Sequence, residues 1–284
     1  MIKSKGFGTA TGLNHWANNL EREKSISISM DSYDFKADPS CDFKVFIQCE
    51  PPFPELYVID PVTLERVEMA EINKNLIEKQ DFFDLILAWH PEVLKNCSNA
   101  VKVEIGMLSN TLDCGIHGAF TKDLKNEISF ITSDKAYAPG HVLRQFIYSL
   151  LKNNPVINSF EVRNLRTPPR IDSLDEMFTN AAFHICVENY RHDNYFTEKI
   201  MNCFSTMTIP IYWGAPNIGD YFNEKGIISF NDLEELKHIL TTLTPEHYEQ
   251  YALFARENCK LQEKYRDYDL RATKEIDKAL ALLP

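Results

Sequence analysis

The sequence predicts an α/β fold of two parallel-sheet domains facing a central cleft. Three observations carry the prediction. Apolar runs of strand length alternate with stretches of helical spacing. The alternation comes in two blocks. Between the blocks, a stretch holding Asn110, Asp113, Gly115 and Gly118 has no clear period. Strand–helix alternation builds parallel sheets covered by helices. A chain of 284 residues suits two modest domains or one large one. The boundary is placed at 115/116, giving an N-terminal domain over 1–115 and a C-terminal domain over 116–284 with a helical tail.

In the first block, Lys44–Cys49 reads as a buried strand. Val67–Lys79 has helical spacing through Met69, Ile72, Leu76 and Ile77. Phe83–Ala88 and Val101–Ile105 read as further strands. In the second block, Ile128–Thr132 is a strand. Pro139-Gly140 starts a helix that carries Val142, Leu143, Phe146, Ile147, Leu150 and Leu151. Phe183–Val187 is a strand, Thr197–Ser205 a helix and Thr208–Trp213 a strand. Leu233, Leu236, Ile239, Leu240 and Leu243 mark another helix, and Pro245–Leu283 is mostly helical in pattern.

Composition narrows the function. The 41 acidic residues against 30 basic ones give a net charge of −11, which argues against a nucleic-acid-coating surface but allows a local basic pocket. Apolar runs fall short of the roughly 20 residues that span a bilayer, and the first residues lack a signal core. The seven cysteines are odd in number and scattered, and several lie in or beside apolar stretches. The expectation is a soluble protein of a reducing compartment, cytoplasmic or peripheral to a membrane, without an integral membrane segment.

The chemistry concentrates in residues 183–216. An apolar strand ends in Glu188-Asn189. A polar loop with Arg191 and His192 leads to Tyr195-Phe196-Thr197-Glu198-Lys199-Ile200. A second apolar strand, Ile209-Pro210-Ile211-Tyr212-Trp213, ends in Gly214-Ala215-Pro216. Strand-to-helix junctions collect free N–H groups and the positive helix end, a natural anion site. Lys199 in a first helical turn opposes the helix dipole, which calls for an anion nearby. Glu198, as a carboxylate, accepts hydrogen bonds such as those from sugar hydroxyls.

This string resembles the donor-binding signature of the α-1,3/4-fucosyltransferases, glycosyltransferase family 10. The likeness continues upstream through Ser129–Lys135, with Ser133 at the strand end, and the helix bearing Arg144. It continues downstream through Ile228–Leu233. The N-terminal half resembles the family more weakly. There Phe46–Glu50 matches a strand ending in a glutamate, and Phe83–Ala88 matches the strand after it. The likeness spans about residues 40–260.

The resemblance implies the two-domain GT-B fold with Rossmann-like domains, and an inverting sugar transfer. The donor would be a nucleotide sugar, fucose from GDP-fucose first among them, and the acceptor a hydroxyl of a glycan or glycoprotein. Glu50 would be the catalytic base, with Glu55 in reserve. Arg144 and Lys199 would hold the diphosphate. Glu188, Asn189, Tyr195, Thr197, Glu198, Ser133 and Gly214 would complete the donor site. Protein cations can stabilise the leaving group, so no metal is required. Val187 and Tyr190 stand where the family has Phe and Ser. These departures leave open another donor, such as UDP-xylose, and a non-catalytic glycan- or nucleotide-binding module also stays open. Asp267-Tyr268-Asp269 has Asp-x-Asp metal spacing, but no apolar strand adjoins it. Cys114 and His117 lack a second ligand pair.

Overall fold

In a computed structural model of the chain, the described residues are 2–6, 25–30, 38–51, 57–59, 66–68, 71–108, 127–154, 156–157, 160–167, 174–178 and 181–283. They form two compact units, Met1–Ile105 with Asp267–Pro284, and Gly106–Arg266.

The first unit contains β1 (Ile2–Gly6), β2 (Ile26–Met30), β3 (Phe43–Ile47), β4 (Tyr57–Ile59), β5 (Arg66–Glu68), α1 (Ile72–Glu78), β6 (Leu85–Ala88), α2 (Pro91–Asn96) and β7 (Ala100–Lys102). Its five-stranded sheet has the order β1-β2-β3-β6-β7, and every pair in it is parallel. All of β6 is buried, as a parallel strand covered on both faces must be. Phe46 of β3 meets Phe83 edge-to-face at 5.1 Å.

The helical spacing read over Val67–Lys79 is corrected here. Only Ile72–Glu78 is helical, and Val67 pairs with Val58 in the antiparallel pair β4–β5. A cross-strand partner overrides the local period.

The second unit contains β8 (Glu127–Ser133), α3 (Pro139–Lys152), β9 (Val156–Ile157), β10 (Phe160–Thr167), α4 (Asp175–Phe178), β11 (Ala181–Val187), α5 (Glu198–Ser205), β12 (Ile209–Trp213), β13 (Ile228–Ser229), α6 (Leu233–Thr242) and α7 (His247–Leu261). The sheet order is β13-β12-β11-β8-β10-β9, parallel except for β9 against β10. Successive side chains on a strand face opposite ways. Accordingly Phe183, Ile185 and Val187 of β11 join one apolar cluster, with Phe130, Ile147 and Leu236. Cys186 joins the other, with Ile200, Phe204 and Tyr212. β11 is buried at every position, the central strand of a doubly covered sheet.

The last helix, α8 (Tyr268–Leu280), belongs to the first unit. It buries Tyr268, Ala272, Thr273 and Ile276 and packs on β6. Arg271 Nη2 donates to the Glu104 carbonyl at 2.7 Å. The tail expected to stay with the C-terminal domain therefore contributes to the N-terminal one. The expected boundary at residue 115 lies outside the described residues, and the units divide between Ile105 and Gly106.

Among the described residues, no helix is long and apolar enough to cross a membrane. Among the described residues Cys41, Cys97, Cys186 and Cys203 are free thiols, and Cys114 lies outside the described residues.

Candidate functional site

In the second unit the site is organised by the carboxyl end of β11. Glu188 follows the strand and has no solvent exposure. Its N–H extends the ladder to the Trp213 carbonyl at 2.9 Å. Its carboxylate accepts the Thr197 N–H at 2.9 Å and the Thr197 hydroxyl at 2.6 Å. Thr197 is also the N-cap of α5, the position at which a hydroxyl satisfies an otherwise unpaired helix N–H. Glu188 thus fixes the start of the helix that carries Glu198 and Lys199.

Two glycines let the backbone close around this carboxylate. A Cβ on Gly214 would lie 2.1 Å from Tyr212 Oη and 2.7 Å from Glu188 Cγ. A Cβ on Gly140 would lie 1.8 Å from the Glu188 carbonyl oxygen. The Gly140 N–H donates to the Asn189 carbonyl at 3.0 Å, so the first turn of α3 rests on the chain leaving β11. One turn further, Arg144 is 8% exposed. Its Nη1 donates to the Val187 carbonyl at 2.8 Å, and its Nη2 donates to Asn189 Oδ1 at 2.7 Å. A guanidinium has five donors, so these two bonds orient Arg144 without exhausting it.

Lys199 Nζ lies 2.9 Å from Glu198 Oε1, 3.0 Å from Thr197 Oγ1 and 3.6 Å from Glu188 Oε2. The anion that its unfavourable place in the helix dipole called for is therefore already present in the protein's own carboxylates. Burial pulls the Lys199 ammonium down, but Glu198 and Glu188 outweigh it and hold its pKa above the ordinary lysine value. Burial alone would raise Glu198; Lys199 reverses that and holds it below the usual glutamate value. Burial keeps Glu188 above that value against the pull of Lys199 and Thr197.

Arg144, Glu198 and Lys199 line a cavity of about 220 Å³ whose other walls include Ile131, Phe178 and His184. The expected donor residues divide around it. Arg144, Glu198 and Lys199 present charge to the cavity. Glu188, Asn189, Thr197 and Gly214 brace those three. Tyr195 is 2% exposed and packed into the protein. Ser133 receives Gln145 Nε2 on its carbonyl at 2.7 Å, which ties the end of β8 to α3.

Sequence reasoning missed His184, which pairs with Ser129 Oγ at 2.8 Å and tilts against Phe178. The signal was available. His184, Cys186 and Glu188 alternate onto one face of β11.

In the first unit, Glu50 stands exposed just beyond β3. The residues before it are held by neutral groups. Gln48 Nε2 donates to Asn73 Oδ1 at 2.7 Å, Asn73 Nδ2 donates to Glu92 Oε2 at 3.3 Å, and Trp89 Nε1 donates to the Cys49 carbonyl at 3.2 Å. Pro51 is buried after it. Glu55 lies outside the described residues.

Among the described residues, no group of three or more His, Cys, Asp or Glu side chains could hold a metal ion. Asp267 of the Asp-x-Asp spacing caps α8 instead, its Oδ1 accepting the Leu270 N–H at 2.8 Å.

The signature of the glycosyltransferase family 10 (fucosyltransferase) C-terminal domain matches residues 125–274, just over half of the chain. An alpha-(1,3)-fucosyltransferase from Helicobacter pylori is 32% identical over 107 residues, 37% of this chain and 21% of that protein. The match thus spans about a fifth of that relative's length. The crystal structure of an alpha1,3-fucosyltransferase with GDP superposes with a TM-score of 0.52 at 16% identity, covering 90% of this chain and 81% of that one. The UDP-forming α,α-trehalose-phosphate synthase of Burkholderia xenovorans superposes with a TM-score of 0.57 at 10% identity, over 94% of this chain and 76% of that one. The likenesses to solved glycosyltransferases establish the GT-B fold, two Rossmann-like α/β units.

Proposed function

Because the chain belongs to glycosyltransferase family 10, we propose that it transfers fucose from GDP-fucose to a hydroxyl of a glycan acceptor, inverting the anomeric carbon. The observation that carries the reading is the meeting of Lys199, on the first turn of α5, and Arg144, one turn into α3, at one cavity wall. Two cations near two helix N-termini are matched to a diphosphate.

In this reading Glu50 removes the acceptor hydroxyl proton as that oxygen forms its bond to the sugar C1. The bond from C1 to the diphosphate oxygen breaks, and its electron pair leaves with the nucleotide. Arg144 and Lys199 stabilise the charge that grows there. Glu198 accepts hydrogen bonds from the donor's hydroxyls, at the cost of loosening its hold on Lys199. Glu188, Thr197, Asn189 and Gly214 keep the cations in register, and Ser133 and Tyr195 shape the surrounding loops. With both cations supplied by the protein, the reading needs no metal.

Tyr190 and Val187 stand where the family has Ser and Phe, which favours testing donors other than GDP-fucose. Thermal stability should be followed while the protein is titrated with GDP, UDP and their common sugars. A ligand at 100 times its dissociation constant adds about 2.7 kcal/mol. Stabilisation by GDP-fucose, with GDP released on adding acceptor, is the expected result; stabilisation by UDP-sugars alone would overturn the donor. Glu50→Gln should lower turnover by about 10²–10⁴-fold and leave GDP affinity unchanged. Unchanged turnover would remove Glu50 as the base.

A further inference from the structure

The first turn of α3 carries a side chain that the proposed reaction does not use. His141 is 3% exposed, and its Nδ1 has no hydrogen-bond partner among the described residues. Its ring packs edge-on against Tyr137, with centroids 4.4 Å apart. The helix is 14 residues long. Ala138 occupies its N-cap and offers no side-chain acceptor to the N–H groups that follow.

Burial first, and then Arg144, Lys135 and Lys199, hold the His141 pKa down to about 3. Among the described residues, the charged groups acting on this ring, Arg144, Lys135 and Lys199, are cations. The imidazole is therefore neutral near pH 7, with one N–H donor and one bare nitrogen. Three cations and an uncapped helix end generate a positive potential that disfavours a further charge on the ring. They do not disfavour a hydrogen-bond donor. A neutral imidazole beside cations, with its Nδ1 unpaired among the described residues, is the complement of an anion that brings its own acceptor oxygens.

We propose that His141 is a ligand of the anion held at this helix end, donating a ring N–H to a phosphate oxygen of the nucleotide sugar beside Arg144 and Lys199. The identity of the anion rests on the donor reading above, but the existence of an anion site does not. A half-turn about χ2 exchanges the ring nitrogens with carbons, so the ring can turn a nitrogen toward a ligand without moving the helix.

The test uses the full chain, with GDP and inorganic pyrophosphate as separate probes. His141→Phe keeps the ring contact with Tyr137 and removes both nitrogens. It should weaken both ligands about tenfold, equivalent to about 1.4 kcal/mol. His141→Gln restores an N–H donor and should recover most of that loss. Nitrogen-15 signals of the His141 ring should move on saturation with either probe. Wild-type affinity in His141→Phe, with ring signals that stay still, overturns the proposal. If pyrophosphate binds and moves the ring while GDP does not bind, the anion site stands and the nucleotide reading falls. If neither probe binds the wild-type protein, both fall. Thermal midpoints of the variants distinguish lost binding from lost folding.

Discussion

A glutamate follows a central strand in each unit, directly after β11 and three residues past β3, and the two glutamates live in opposite conditions. Glu188, after β11, has no exposure and spends its oxygens on Thr197 and Lys199. Glu50, after β3, is exposed, and the residues before it are pinned by amides and an indole. The same residue type past a strand end is a buried brace in one unit and an exposed side chain in the other. The second unit fixes its site with interlocked charges, whereas the first fixes its own with mostly neutral hydrogen bonds.

Breaking the charged end should have the largest effect. Glu188→Ala removes the acceptor of two Thr197 bonds and leaves Lys199 less well paired. Losing one partner of a buried pair costs about 3–5 kcal/mol. Glu50→Ala, an exposed change, should stay within about 0.5 kcal/mol. Urea unfolding of both variants checks the contrast, and equal losses would erase it.

Next in size is Gly140→Ala. Its new Cβ would overlap the Glu188 carbonyl oxygen, which is backbone and cannot swing aside. Overpacking of this kind costs about 1–3 kcal/mol. The variant should also weaken GDP binding, because α3 carries Arg144. Wild-type stability would mean that the helix end is looser than the contact implies.

The smallest effect is a pH dependence, and it sharpens the comparison because the Gln48–Asn73 amide pair does not titrate. His141 has a pKa of about 3 in the folded protein and an ordinary value near 6.5 once unfolded. A lowered value means that the unfolded chain takes up the proton first. The contribution is therefore whole above pH 6.5 and is lost as pH falls toward 3. Between pH 7 and pH 6 this amounts to about 0.7 kcal/mol. His141→Phe should flatten the profile by that amount, measured as the difference between the urea-unfolding free energies of the two proteins. Parallel profiles would show that His141 titrates alike in both states.

Much of the second unit was legible in the sequence because its strands are long, apolar and set off by Pro and Gly. Ala181–Val187 and Ile209–Trp213 are continuous buried runs of the kind a doubly covered parallel strand requires. The residues expected to bind the donor stand together in the sequence as a string. Their pairing was not legible, since Thr197 Oγ1 meeting Glu188 depends on the loop between them folding back. β10 went unread because Arg163, Asn164 and Arg166 interrupt it. Arg163 is matched by Glu127 of the neighbouring strand, a partner invisible along the chain. In the first unit, β5 was drawn into a helix because Met69, just after it, falls in helical phase with Ile72 and Leu76.

The return of α8 to the first unit gives synthesis an order that the gene does not suggest. Residues 106–266 form one uninterrupted stretch, bounded on both sides by pieces of the other unit. A chain emerging from the ribosome can complete that middle stretch while the opening sheet still lacks the helix that covers β6. The first unit would then be finished last, and a premature stop after residue 266 would injure it more than the stretch 106–266.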